Sequence, residues 1–297
     1  MLLILVFASR DFRQDFWFYI SRMCTSEISL TKSTSTGYDD HIVDNLANKT
    51  CVITGGTRGL GEATARLFAK LGANVVITGR DEVRGKRLQS SVKGITFRKA
   101  DFENREDVIG LVKWLDGKYD SIDVLISNAA RNSRFDLLNI ELQEWDHMLN
   151  LLLTVPFLLS RWASKKMIDH KKKGKIIVVS AIQAISPLEH SFAYATCKGG
   201  LISMVRSMAT DLGRYGIQVM AVLPGPFYIK DEPMPEGLDS RAASVLGRMG
   251  RPNEMAKLLA FLASDNNTFM TGNTIVIDGG RLISRKADPQ EIQLQTI

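Results

Sequence analysis

The stretch Thr54-Gly55-Gly56-Thr57-Arg58-Gly59-Leu60-Gly61 decides the fold of this chain. It joins an apolar, β-branched run, Thr50–Thr54, to an amphipathic helical pattern, Glu62–Leu71. Glycines permit a tight turn and let the backbone approach a pyrophosphate, while the N-terminus of the following helix supplies N–H donors and a positive dipole end. Between a strand and a helix, this stretch predicts a dinucleotide-binding site.

Downstream of this stretch, short apolar runs alternate with helical patterns. Further strands are predicted at Asn74–Thr78, Ile95–Lys99, Val124–Ser127, Lys175–Ser180, Gln218–Leu223 and Thr274–Ile277. Further helices are predicted at Asp107–Leu115, Trp145–Lys166, Ala193–Tyr215 and Pro252–Ala263. Apolar strands separated by helices indicate a parallel sheet covered on both faces, and right-handed crossovers make it doubly wound. The predicted fold class is therefore α/β, a single Rossmann-type domain with a parallel sheet of about seven strands.

The predicted domain covers residues 44–284, with an N-terminal extension at 1–43 and a tail at 285–297. Met1–Ala8 is apolar but too short to span a bilayer. Asp11, Asp15 and Glu27 argue against a mitochondrial presequence. We therefore expect the extension to be disordered or a targeting segment, and the protein to be cytoplasmic without an integral membrane segment. Mitochondrial targeting through the extension is the alternative.

The composition indicates an ordinary globular protein, since 45% of the 297 residues are apolar and 24% are charged. The net charge of +6 is concentrated in the basic cluster Lys165–Lys175, which we interpret as a solvated helix end. No zinc finger or aromatic RNA platform accompanies it, so no nucleic-acid partner is expected. The cysteines Cys24, Cys51 and Cys197 match no metal-ligand spacing, so no metal site is predicted. Cys197 is expected to be a packing residue.

The end of the second predicted strand distinguishes between nicotinamide cofactors. An acidic residue there would bind a ribose 2′-hydroxyl, but Arg80 places a guanidinium where a 2′-phosphate would lie. Arg58, in the glycine-rich stretch, can approach the same phosphate, and a guanidinium fork suits phosphate oxygens. Asp81 could take the acidic role if the turn were shifted by one residue. We expect NADP(H) rather than NAD(H).

Tyr194 and Lys198 form the predicted chemical centre. They are four residues apart in a helical pattern and so share one face of the helix. A lysine ammonium beside a phenol favours the phenolate and would lower the tyrosine pKa toward working pH. The pair is therefore predicted to supply a proton to a carbonyl that is being reduced.

In combination, these motifs resemble the classical short-chain dehydrogenase/reductase family over residues 44–283. The remaining matching motifs are Ser127-Asn128-Ala129-Ala130, Pro224-Gly225, Gly247-Arg248-Met249-Gly250-Arg251-Pro252, and Thr271-Gly272 through Asp278-Gly279-Gly280. The resemblance implies one doubly wound domain, NAD(P) dependence and a homodimer or homotetramer built on the two long predicted helices.

The resemblance also implies roles for individual residues. Tyr194 would be the acid/base and Lys198 would hold the nicotinamide ribose. Asp101 would touch the adenine, while Asn128 and Ala129 would line the cofactor cleft. The complete predicted cofactor set is Gly55, Thr57, Arg58, Gly59, Leu60, Gly61, Arg80, Asp101, Asn128, Ala129, Tyr194, Lys198, Pro224 and Gly225.

Two of the four catalytic positions depart from the family's Asn, Ser, Tyr and Lys. The serine normally lies 13 residues before the tyrosine, where this chain has Ala181. The neighbouring Ser180 would need a bulge or a register shift to replace it, because successive strand residues point to opposite faces. The asparagine of the family's W-D-x-x-x-x-x-N pattern is Leu152 here, and Asn150 faces another direction on a regular helix. The predicted catalytic tetrad is therefore degenerate.

Smaller departures concern the nicotinamide. The family's Asn-Asn-Ala-Gly has become Ser127-Asn128-Ala129-Ala130, and the threonine that binds the nicotinamide amide is replaced by Ile229. Pro226–Leu246 is predicted to be a partly apolar substrate lid. We expect an NADP(H)-dependent reductase of a ketone or aldehyde. A catalytically impaired NADP-binding scaffold and an enoyl reductase-like enzyme are the alternatives.

Overall fold

The seven strands in the described part of the chain lie in one parallel sheet. In the computed structural model, residues 45–230, 232–238 and 244–284 are described. The strands are β1 (Thr50–Thr54), β2 (Asn74–Gly79), β3 (Ile95–Lys99), β4 (Val124–Ser127), β5 (Lys175–Val179), β6 (Gln218–Pro224) and β7 (Thr274–Ile277). Their order is β3-β2-β1-β4-β5-β6-β7. The predicted α/β fold is confirmed, whereas the N-terminal extension and the C-terminal tail lie outside the described residues.

Helices cover both faces of this sheet. They are α1 (Gly59–Lys70), α2 (Glu82–Ser91), α3 (Arg105–Lys118), α4 (Leu142–Leu149), α5 (Val155–Asp169), α6 (Phe192–Leu212) and α7 (Pro252–Ala263). Alternate strand residues enter different cores. Val52 packs in the core that contains Leu159 of α5, and Ile53 packs in the core with Phe68 of α1 and Leu259 of α7. The central strands β4 and β5 are therefore buried along their whole length, as expected for a sheet covered on two sides, whereas β3 at the edge ends in the exposed Arg98 and Lys99.

Helix α2 is absent from the sequence-based prediction. Its sequence gives a weak amphipathic signal, since Gly85 and Leu88 are its only buried residues. Gly85 lies against Phe97, where a Cβ would come within 2.3 Å of the ring. Asp81 could have indicated the start of this helix, because aspartate is a preferred N-cap residue. Its carboxylate accepts a hydrogen bond from the Arg84 N–H at 3.0 Å and caps the helix.

In the structure, the predicted long helix Trp145–Lys166 is divided into three helical segments. Helix α4 continues into a π-helical turn, Asn150–Thr154, and then into α5. The Asn150 amide donates a hydrogen bond to the backbone carbonyl of Phe102 at 3.0 Å. Asn150 therefore connects the π-helical turn to the loop after β3. The hydrophobic periodicity of the sequence does not reveal a π-helical turn inside a longer helix.

The basic cluster after α5 is mostly a solvated turn, but Lys175 is an exception to the prediction. Lys172 pairs with Asp123 at 2.8 Å on the surface. Lys175 begins β5, is buried, and donates hydrogen bonds to the side chain of Gln218 and the carbonyl of Asn267. Cys197 is fully buried in the core, which confirms its predicted packing role.

Candidate active site

A cleft of about 510 Å³ opens at the carboxyl ends of the strands. It lies where the strand order reverses between β1 and β4, the point at which open α/β sheets bind their ligands. Every predicted cofactor residue lines it except Gly225. Gly225 instead packs beneath the loop after β7, because a Cβ there would come within 2.5 Å of Asp278 Cβ.

The glycine-rich turn is shaped by close backbone approaches. A Cβ on Gly61 would lie 2.2 Å from the Gly55 carbonyl oxygen, so no larger residue fits. Gly55 has φ +66°, and a Cβ there would come within 2.9 Å of Ala129 Cα. These two glycines are required both for the turn itself and for its contact with the loop after β4.

Asn128 and Thr54 hold this turn in place. The Thr54 hydroxyl accepts hydrogen bonds from the backbone N–H groups of Asn128 (2.9 Å) and Ala129 (3.0 Å). The Asn128 amide donates to the carbonyls of Thr54 (3.0 Å) and Gly55 (3.2 Å). The side chain of Asn128 is therefore bound to the protein backbone, and it fixes the two loops that form the floor of the cleft.

The N-terminus of α1 faces the cleft and suits a phosphate. Arg58 is the N-cap residue and provides no side-chain cap, so the first N–H groups of the helix lack intrahelical acceptors. Together with the tight glycine turn, these donors fit the pyrophosphate of a dinucleotide. The helix dipole adds a favourable potential for an anion.

Two arginines were predicted to bind a 2′-phosphate, and both line the cleft, namely Arg58 and Arg80. The Asp81 carboxylate caps α2 and pairs with Arg84 at 3.3 Å, and Asp81 is not among the residues that line the cleft.

The charged cleft residues Glu103 and Arg131 were not predicted from the sequence. Glu103 lines the cleft, and one of its oxygens lies 3.5 Å from Arg80 Nη1. The same oxygen lies 3.4 Å from Nε of Arg131. Their positions in the sequence could have indicated them, because Glu103 follows the predicted cofactor residue Asp101 by two residues and Arg131 directly follows the Ser127–Ala130 motif.

Tyr194 and Lys198 lie together on the wall of the cleft near the end of β5. The Lys198 ammonium is 5.5 Å from the centroid of the Tyr194 ring. It donates a hydrogen bond to the backbone carbonyl of Val179 at 2.8 Å. Burial disfavours the charged amine and lowers the pKa of Lys198 to about 8.

The expected lowering of the tyrosine pKa is wrong for this structure. Burial raises the pKa of Tyr194 to about 12. The Lys198 ammonium lies over the ring and bonds to Val179, so it does not offset the loss of hydration around a phenolate. Tyr194 is therefore a neutral phenol at pH 7.

The apolar substitutions in the catalytic set are not compensated by neighbours. The Ser180 hydroxyl donates a hydrogen bond to the backbone carbonyl of Lys198 at 2.7 Å and is 2% exposed. It therefore does not replace the serine missing at Ala181. Leu152 is 1% exposed and packs in the core beneath α4 and α5. The amide of Asn150 binds Phe102, so it does not replace the missing asparagine.

Ile229 lies beside the glycine-rich turn. It lines the cleft, and a Cβ on Gly59 would be 3.2 Å from Ile229 Cβ. Ile229 thus presents an apolar side chain at the position where the resembled family has a threonine. The predicted lid Pro226–Leu246 is only partly within the described residues.

Within the part of the chain that the structure describes, no helix is long and apolar enough to cross a membrane. The same residues contain no group of three or more His, Cys, Asp or Glu side chains arranged to hold a metal ion.

The fold and the cleft define a doubly wound protein of the nucleotide-binding class. A family model described as "Enoyl-(Acyl carrier protein) reductase" matches residues 55–281. The 3-oxoacyl-[acyl-carrier-protein] reductase of Rickettsia prowazekii is 35% identical over 246 residues, covering 80% of this chain and 99% of that protein. An uncharacterized oxidoreductase of Thermotoga maritima is 32% identical over 251 residues, covering 80% of this chain and 97% of that protein. The chain belongs to the short-chain dehydrogenase/reductase family.

Solved structures show the same likeness. A short chain dehydrogenase from Bacillus anthracis superposes with a TM-score of 0.74 at 31% identity, covering 82% of this chain and 100% of that one. L-Sorbose reductase from Gluconobacter frateurii, complexed with NADPH and L-sorbose, superposes with a TM-score of 0.75 at 25% identity. That match covers 82% of this chain and 99% of the reductase.

Proposed function

We propose that this chain is an NADP(H)-dependent reductase of a ketone or aldehyde, with Tyr194 as the proton donor. The observation that carries the proposal is a single cleft whose lining includes the glycine-rich turn at one end and Tyr194 with Lys198 at the other. Assembly as a homodimer or homotetramer and a cytoplasmic location remain predictions.

The preference for NADP(H) is supported by the positive charges of two arginines that line the cleft. Arg58 and Arg80 line the cleft, and guanidinium groups match phosphate oxygens in geometry and charge. Asp81 is engaged as a helix cap and is not among the residues that line the cleft. The relative that reduces L-sorbose holds NADPH, which is consistent with the same cofactor here.

The protonated phenol of Tyr194 can supply the proton that a carbonyl reduction needs. When bound, the nicotinamide would supply a hydride to the substrate carbon. The Tyr194 pKa of about 12 keeps its phenol protonated at pH 7, so the residue holds the proton that the substrate oxygen must receive. Lys198 would bind the nicotinamide ribose.

The lining near Tyr194 suits a partly apolar carbonyl compound. Leu151, Val179 and Ile229 contribute apolar surface to this cleft. No serine hydroxyl orients the substrate oxygen, and the loss of one positioned donor typically lowers the rate by about 10²–10³. We therefore expect slow turnover unless the substrate itself supplies positioning contacts.

A second candidate is an NADP-binding protein without turnover. The observation that favours it is the engagement of Ser180 with the Lys198 carbonyl, because it leaves no hydroxyl in place of the family's serine. Enoyl reduction is a third possibility, since it needs no carbonyl held by a serine. The test must therefore distinguish carbonyl reduction, alkene reduction and binding alone.

The experiment follows NADPH consumption against ketones, aldehydes and α,β-unsaturated ketones, with product analysis. We expect carbonyl reduction by the wild type and a loss of about 10²–10³ in kcat for Tyr194→Phe. Tyr119→Phe is the matched control, because it also removes a partly buried hydroxyl but lies outside the cleft. Tight NADPH binding without turnover would contradict the reductase and support the second candidate. Saturated ketones as the products of unsaturated ones would indicate enoyl reduction.

A further inference from the structure

One carboxylate oxygen in the cleft is shared by two guanidinium groups. Glu103 Oε1 lies 3.5 Å from Nη1 of Arg80 and 3.4 Å from Nε of Arg131. All three side chains line the nucleotide cleft. The backbone N–H of Glu103 donates a hydrogen bond to the Asp101 carboxylate at 3.1 Å, which fixes the backbone of Glu103 beside the cleft.

The two arginines differ in their dependence on Glu103. Arg131 has a second and closer partner, since its Nη2 lies 2.6 Å from the Glu144 carboxylate. Arg80 has only Glu103 as an ion-pair partner among the residues that the structure describes. A ligand anion that binds Arg80 must therefore either displace Glu103 or accept it as a close negative neighbour.

Charge balance makes this competition significant. Arg80, Arg131, Glu103 and Glu144 carry two positive and two negative charges. Arg58 and Asp101 in the cleft lining add one charge of each sign, so the set remains neutral. A 2′-phosphate would add nearly two negative charges next to the Glu103 carboxylate. Like charges a few ångströms apart repel even near a solvated surface. The 2′-hydroxyl of a non-phosphorylated ribose meets no such repulsion.

We propose that Glu103 is a specificity-determining residue that competes with the cofactor 2′-phosphate for Arg80 and so limits the preference for NADP(H) over NAD(H). The inference rests on the proposed dinucleotide binding. It adds that the ratio of the affinities for NADP(H) and NAD(H) is smaller than Arg58 and Arg80 would give without the Glu103 carboxylate. Glu103→Gln keeps the shape of the side chain and removes the competing charge.

The test uses only the adenosine half of the cofactor, so it does not depend on catalysis. The affinities of the full-length wild type and Glu103→Gln for 2′,5′-ADP and for 5′-AMP are measured by calorimetry. We expect Glu103→Gln to bind 2′,5′-ADP about tenfold more tightly, with less than about a twofold change for 5′-AMP. The gain should shrink as salt is raised, because the charges are partly exposed.

Glu82→Gln is the matched control. It removes the same charge on the same edge of the sheet, where Glu82 pairs with Lys86 and Lys99 outside the cleft lining. This control should leave the ratio of the two affinities unchanged.

The possible outcomes separate the inference from the proposed function. Binding of both nucleotides with the same ratio in wild type and Glu103→Gln overturns the inference and leaves the proposed function standing. Weaker binding of both nucleotides to Glu103→Gln also overturns it, since Glu103 would then be a ligand of the adenosine. Failure of the wild type to bind either nucleotide, or NADPH, contradicts the proposed function itself.

Discussion

At the scale of single residues, the ionisation of buried groups couples the active site to stability. Burial lowers the pKa of both Lys198 and Lys175 to about 8, from an ordinary value of 10.5. Between these values the folded state binds fewer protons than the unfolded state, so the free energy of unfolding rises with pH. Tyr194 acts in the opposite sense above pH 10, because its folded pKa of about 12 keeps it protonated while the unfolded phenol ionises. Burial also raises the pKa of the Cys51 and Cys197 thiols above their ordinary value of 9.0, which opposes the lysines above pH 9, so these five groups together favour maximum stability at about pH 9–10.

Lys198→Met should therefore stabilise the fold at pH 7. The substitution keeps most of the side-chain length and removes a charge that is 1% exposed. We expect the free energy of unfolding to rise by about 1–3 kcal/mol at pH 7, and this gain to shrink toward pH 10, where the wild-type lysine is largely neutral. Urea unfolding at both pH values measures the effect.

The control for this prediction is Lys166→Met, which removes a surface lysine paired with Asp116. Its effect should be small and should not vary in this way with pH. A gain for Lys198→Met that is the same at pH 7 and pH 10 would contradict the assigned cause, namely burial of a charged amine.

At the scale of elements, the π-helical turn Asn150–Thr154 predicts what placing an asparagine at position 152 would do. Leu152, at the centre of this turn, is buried in the core shared by α5 and α6. The adjoining Asn150 binds the loop after β3. The turn therefore serves as a packing element here, and an amide at position 152 would enter an apolar environment.

Leu152→Asn is accordingly expected to destabilise the protein. A buried amide without partners costs about 1–3 kcal/mol, to which the loss of apolar packing adds. The measurement is the urea midpoint, with Leu138→Asn as the control because Leu138 is 89% exposed. An unchanged midpoint together with increased turnover would mean that the asparagine finds partners in the site.

The strands could be predicted from the sequence far better than the helices. Most strands are short apolar, β-branched runs bounded by turn residues, so their positions follow from composition, and β3 with Arg98 and Lys99 gives the weaker signal. Helix α2 carries too few buried residues to show a period, and the π-helical turn has no signature in a regular period of 3.6. In the site, residue types marked the glycine turn and Tyr194. The partners of Ser180 and Glu103 depend on tertiary packing, which no local pattern encodes.

At the scale of the whole molecule, the two ends of the cleft are built differently. The phosphate end consists of main-chain groups fixed by Thr54, Asn128 and two tightly packed glycines. The chemical end depends on the individual side chains Tyr194 and Lys198. We therefore expect nucleotide binding to withstand substitutions that remove turnover.

NADPH should stabilise the whole domain measurably. A ligand at about 100 times its Kd adds about 2.7 kcal/mol to the free energy of unfolding. For a domain of this size this corresponds to a rise in Tm of about 5–10 °C. The same concentration of NADH should give a smaller shift, and Arg80→Ala should remove most of the difference. Thermal unfolding of wild type, Arg80→Ala and the exposed control Arg87→Ala tests this, and equal shifts for both nucleotides in the wild type would count against NADP(H) preference.

The main-chain construction of the phosphate end has a consequence for protein engineering. Leu151 and Val179 line the cleft, and neither belongs to the glycine turn or to the Thr54 and Asn128 hydrogen bonds that fix it. Ile229, in contrast, lies against Gly59 of the turn. Under the proposed function, variants at positions 151 and 179 should therefore change the substrate that is accepted, without rebuilding the part of the cleft that would hold the source of reducing equivalents.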